Sequence, residues 1–182
     1  MSTRDLAALV LVIVAAGCAT VRPMDAAVET PNLGREATPA QIAGWDISVG
    51  PDGAGLPAGS GTTARGAAVF AQKCQTCHGP AGAGQPNDRL VGGQGTIATN
   101  APVKTIGSYW PYATTVFDYV RRAMPYTGSQ SLSNDEVYAL TAYLLNLNRI
   151  IGEADEMNAR TLPAVKMPNR DNFIIMYPAR PR

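Results

Sequence analysis

The chain has 182 residues, 46% of them hydrophobic and 16% charged, with a formal net charge of +1. That balance supports one ordinary domain with a core, and it excludes the strongly basic surface of a nucleic-acid binder and bulk electrostatic attraction to a membrane. The 18 glycines and 14 prolines predict long irregular segments around that domain.

Arg4 makes a thin charged start, weakened by Asp5, and an apolar run of 11 residues follows from Leu6 to Ala16. A helix that crosses a bilayer needs roughly 20 residues. The run therefore reads as the apolar part of a secretory signal over residues 1–17, which marks an exported protein. It ends in Ala15-Ala16-Gly17-Cys18, which resembles a lipoprotein processing site, with Ala15 where such sites usually carry leucine. On that route the Cys18 thiol is lipidated and ties the chain to a membrane. Cleavage after Ala19 would instead discard Cys18. Either route explains an odd cysteine count without a disulfide.

Residues 18–61 read as a tether followed by an extended arm, with turn formers at nearly every step of VGPDGAGLPAGSG. Trp45, Ile47 and Val49 alternate with polar residues or glycine, so the arm is expected on the surface of the domain. Helical character begins near Thr63, where Ala67, Phe70 and Cys74 recur on one face. Residues 79–108 read as loop, with glycines at 79, 82, 84, 92, 93 and 95. Pro111 is expected to open a helix over about 112–123, and Met124-Pro125 to end it. The strongest helical pattern follows: Ser133 and Glu136 form a capping box, and Val137, Leu140, Leu144 and Leu147 line one side. Residues 151–182 carry little periodicity and read as an irregular tail.

The chemistry concentrates in Cys74-Gln75-Thr76-Cys77-His78, which contains the chain's single histidine. C-x-x-C-H is the haem c attachment pattern. Two cysteines three apart on a helical turn point the same way, so each sulfur can form a thioether to one vinyl group of the haem. His78 then falls beneath the porphyrin as an axial ligand. A thioredoxin-like dithiol would need a strand before the motif, and the pattern here predicts a helix. Zinc would need a fourth ligand, and beyond Cys18 the chain has no other cysteine or histidine.

A sixth ligand is expected from methionine, whose soft sulfur favours ferrous iron. Met124 lies between two helices, 46 residues beyond His78, in a loop able to fold over the opposite haem face. Met167 is the other candidate, also followed by proline, but expected outside the compact part.

With these residues the chain resembles the class I cytochromes c over about residues 62–150. Gly66 and Phe70 match that family's N-terminal helix, and Leu140 and Tyr143 its C-terminal helix. The resemblance implies an all-α fold around one covalent haem, with extended arms on either side, and a close crossing of those two helices. The strings GGQGTI, PVKTIGSYWPYATTVFDYVRRAMP and LPAVKMPNRDNF look like the haem subunits of bacterial sulfite and sulfane dehydrogenases, from about Trp45 to Phe173. That narrower resemblance implies a molybdenum-containing catalytic partner that passes electrons singly to the haem. Sox-type relatives often carry a second haem domain, whereas this chain has one C-x-x-C-H.

The resemblance also implies that Trp110 and Tyr109 contact the haem and its propionates, although ordinary core packing would account for both. Pro80 and Pro86 are candidates to offer a carbonyl to the second nitrogen of His78, and the sequence singles out neither. Arg121 and Arg122 read either as a docking patch beside Met124 or as favourable charge at a helix C-terminus. The expected role is an electron carrier, not an enzyme, delivering to another cytochrome or a terminal oxidase. The alternatives are a haem sensor or peroxidase-like protein with a labile sixth ligand, and a carrier for a different periplasmic dehydrogenase.

Overall fold

The computed structural model describes residues 33–174 and 176; the signal segment and Cys18 lie outside the described residues. The chain divides into two units after Gln41. In the first, the Thr38 backbone N–H donates to Gln41 Oε1 at 2.9 Å, a local cap. A short helix, α1 (Pro39–Trp45), buries no residue.

The second unit, Ile42–Arg182, contains the core. Its helices are α2 (Thr63–Lys73), α3 (Gln75–His78), α4 (Ala113–Ala123) and α5 (Asn134–Leu147). α5 is the centre of the unit. The expected capping box starts it: Glu136 N–H donates to Ser133 Oγ at 3.3 Å, and Ser133 N–H to Glu136 Oε2 at 2.8 Å. Val137, Leu140 and Leu144 are buried as their spacing predicts, but so are Tyr138, Ala139, Thr141, Ala142 and Leu145. Burial on nearly every side follows from its neighbours, because α2, α4 and a small two-stranded sheet all pack against it.

The crossing of α2 with α5 depends on Gly66. A Cβ there would run into the Ala139 carbonyl and sit 2.7 Å from Tyr143 Cβ, so only glycine permits this approach. Phe70 then lies against Tyr143 with ring centroids 5.4 Å apart. The buried face of α2 is Thr63, Gly66, Val69 and Phe70, while Ala67 and Cys74 sit half-buried at its edge.

The C-terminal segment departs from the irregular tail expected of it. Strand β2 (Glu156–Asn158) pairs antiparallel with β1 (Ser60–Thr62), with Gly61 opposite Met157. Met157, Leu162 and Met167 are buried in the same core as α5. Met167 is 1% exposed, so its expected place outside the compact part is wrong. Fully burying a side chain of this size contributes about 1.5–3 kcal/mol, which is enough to hold a segment without periodicity. Pro111 also departs from expectation: Tyr112 is the N-cap of α4, so the proline precedes the helix.

Among the described residues no helix is long and apolar enough to cross a membrane.

Candidate haem site

The motif sits where α2 breaks. Cys74 leaves helical geometry (φ −127°, ψ −34°), yet its N–H still donates to the Phe70 carbonyl at 2.9 Å. Its own carbonyl accepts from Cys77 N–H at 3.1 Å and from His78 N–H at 3.0 Å. Cys74, Cys77 and His78 therefore share a single turn, as their spacing predicts. Cys74 is half-buried against the core and Cys77 is exposed.

Burial pushes the Cys74 thiol up to about 11, against a lowering effect from Lys73 and with a smaller raising effect from Cys77. Redox-active dithiols depend on a lowered thiol pKa. The burial of Cys74 does the reverse.

Gly79, with φ +73°, ends the turn and reverses the chain. The following loop then folds back beneath the motif. Gly84 N–H donates to the His78 carbonyl at 2.8 Å, and Asn87 N–H to the Cys77 carbonyl at 2.9 Å. This places the Asp88 carbonyl oxygen 3.0 Å from His78 Nδ1. Neither candidate proline, Pro80 or Pro86, fills that role. A main-chain carbonyl carries no residue-type signature, so the sequence could not single out Asp88. With Nδ1–H donating to that carbonyl, Nε2 is the nitrogen left to bind iron.

Asn148 is a second residue that pattern reading missed. It is 3% exposed. Its Nδ2 donates to the Leu90 and Leu144 carbonyls at 3.2 and 2.9 Å, and its Oδ1 accepts from Gly92 N–H at 3.1 Å. The loop that follows the His78 turn is thereby tied to the C-terminus of α5. The clue was an asparagine one position past a strong helix.

Met124 is the C-cap of α4, its N–H donating to the Val120 carbonyl at 3.1 Å. It is half-buried and packs against the core, as do Cys74, Leu90 and Trp110. Trp110 meets Tyr119 edge-on at 5.6 Å. Tyr109 is 37% exposed, accepts at its carbonyl from Asn169 Nδ2 at 2.8 Å and meets Phe173 at 5.5 Å.

Arg121 and Arg122 are engaged within the chain. Arg122 forms an ion pair with Asp118 at 3.0 Å, and Arg121 donates to the Ile47 carbonyl at 3.3 Å. Ile47 and Val49 are half-buried, as an arm on the domain surface requires, while Trp45 is 86% exposed.

Two thiols and an imidazole on one turn, the imidazole oriented through Nδ1, fit haem c attachment. A family profile described as "Cytochrome C oxidase, cbb3-type, subunit III" matches residues 61–144. A chain in the crystal structure of the sulfane dehydrogenase SoxCD from Paracoccus pantotrophus is 45% identical with a TM-score of 0.75, over 80% of this chain and 72% of that one. No curated protein gives a significant match. The C-x-x-C-H turn, the Gly66 crossing and these similarities together identify the chain as a member of the class I cytochromes c, a haem c electron-transfer family, related to a chain of the sulfane dehydrogenase SoxCD.

Proposed function

We propose that this is a periplasmic, single-haem electron carrier. It takes electrons one at a time from a molybdenum-containing sulfite or sulfane dehydrogenase subunit and delivers them to another cytochrome or a terminal oxidase. The observation that carries this reading is the 45% identity to a SoxCD chain over 80% of the present chain. The single C-x-x-C-H supports one haem.

Haem c supplies a one-electron couple when bound. In this reading Cys74 and Cys77 would hold it through thioethers, and His78 Nε2 and the Met124 sulfur would be its iron ligands. The indole N–H of Trp110 holds a propionate. Burial supports Met124 over Met167: a sulfur enclosed on all sides by protein has no face to offer, whereas Met124 is half-buried. Cys18 carries the lipid that holds the complex to a membrane.

The test is a pull-down of the native, anchored protein with molybdenum and haem assayed in one fraction. Both should be recovered in the same complex, and sulfite or thiosulfate should reduce the haem. Haem recovered without molybdenum would refute the proposed donor. Colour lost on denaturation in organic acid would refute thioether attachment.

A further inference from the structure

We infer that Ile47–Ser60 is a strut that keeps Met124 in place, with Asp118 as its main anchor and Arg121 and Arg122 as supporting positioning residues. The inference rests on Met124 being the sixth ligand.

The loop 124–133 joins the end of α4 to the start of α5 and has little packing of its own. Leu132 is its one buried residue, Met124 is half-buried, and Tyr126 is 87% exposed. The positions of its two ends must therefore be set from outside the loop.

The arm is bonded to α4 along its length, from Thr114 to Arg122, and to the first turns of α5. On α4, Asp118 Oδ1 accepts from Val49 N–H at 3.0 Å and also from Arg122 Nη2 at 3.0 Å. Arg122 Nη2 donates to Ser48 Oγ at 3.4 Å, Arg121 Nη1 to the Ile47 carbonyl at 3.3 Å, and Thr114 Oγ1 to the Pro51 carbonyl at 3.4 Å. On α5, Tyr138 OH donates to the Pro57 carbonyl at 2.8 Å, Asn134 Nδ2 to the Ala58 carbonyl at 3.2 Å, and Ser60 N–H to Asp135 Oδ1 at 2.9 Å.

Between these feet the arm is tied to itself. Gly50 N–H donates to the Ala54 carbonyl at 2.8 Å and Leu56 N–H to the Gly53 carbonyl at 3.1 Å. Leu56 and Val49 also pack against the core. The arm and the 124–133 loop thus both connect α4 to the start of α5. Were Met124 the ligand, a shift of the α4 terminus would carry its sulfur away from the haem, and the arm resists that shift.

The experiment measures carbon monoxide binding to the reduced, haem-loaded protein, the far-red methionine-to-iron band of the oxidised protein, and amide exchange of residues 47–60. Asp118→Ala should speed carbon monoxide binding about tenfold, the scale of losing a hydrogen bond to a charged group, and speed exchange at Val49. Tyr138→Phe, which keeps the buried ring, should give a smaller increase of the same sign. Asp155→Ala, which loosens a different surface turn, should leave carbon monoxide binding at the wild-type rate. The strut is refuted if both arm variants keep wild-type ligand binding while exchange shows the arm released. Unchanged exchange in Asp118→Ala refutes Asp118 as anchor. If Met124→Ala keeps the far-red band, the ligand assignment and the strut fall together; if it loses the band, the arm variants judge the strut alone.

Discussion

The Nδ1 atom of His78 lies 3.0 Å from the carbonyl oxygen of Asp88, a contact made by a loop that leaves the histidine and returns to it. Gly79 makes the return possible, because its φ of +73° suits glycine and a Cβ there would collide with Gly84.

Gly79→Ala should therefore cost about 1–3 kcal/mol of stability, the scale of strain at such a backbone position. It should also raise the reduction potential, since a weaker Nδ1–H bond makes the imidazole a poorer donor to iron. Denaturant unfolding and a redox titration check the two effects. A stability loss with an unmoved potential would reduce the Asp88 contact to a prop for the loop.

Replacing each candidate methionine should have a different result. Met124→Ala should abolish the far-red band and lower the potential. Met167→Ala should keep the band but lose about 2–5 kcal/mol of stability, because Met167 is a fully buried core residue. Absorption spectra and unfolding curves of the two holoproteins decide it, and the reverse pattern would exchange their roles.

Gly66→Ala should destabilise the fold by about 3 kcal/mol, at the upper end for an overpacked core. Its new methyl meets backbone at Ala139, which cannot turn aside as a side chain can. Thermal unfolding would register the loss, and a near-neutral result would mean the helices separate at little cost.

Acid should weaken the α2–α5 contact. Lys73 Nζ lies 2.7 Å from Glu136 Oε1. The hydrogen bond from Lys73, then that from the Ser133 backbone, lowers the Glu136 pKa from its usual 4.5. A carboxyl lowered in the folded state adds stability above its unfolded pKa and loses it as pH falls through the folded value. Glu136→Gln should thus cost under about 1 kcal/mol at pH 7, since the pair is partly exposed. That cost should shrink below pH 4.5, the usual value for this carboxyl. Stability measured against pH checks the sign; a cost that persists at pH 3 would assign the effect to packing.

Chemistry that depends on residue type and short spacing was legible in the sequence. Cys74, Cys77 and His78 fall on one turn because residues that close share local geometry. The capping box at Ser133 and the break at Met124 are equally local. Gly66 was also legible, through its family resemblance. The Asp88 carbonyl, the Asn148 ties, the burial of Met167 and the grip of Asp118 on Val49 were decided by tertiary structure alone. Each joins segments across the fold or uses main-chain atoms common to all residues, so no local pattern marks it. Arg121 and Arg122 illustrate the difference: their charge was plain in the sequence, but only the packed arm revealed what those guanidinium groups hold.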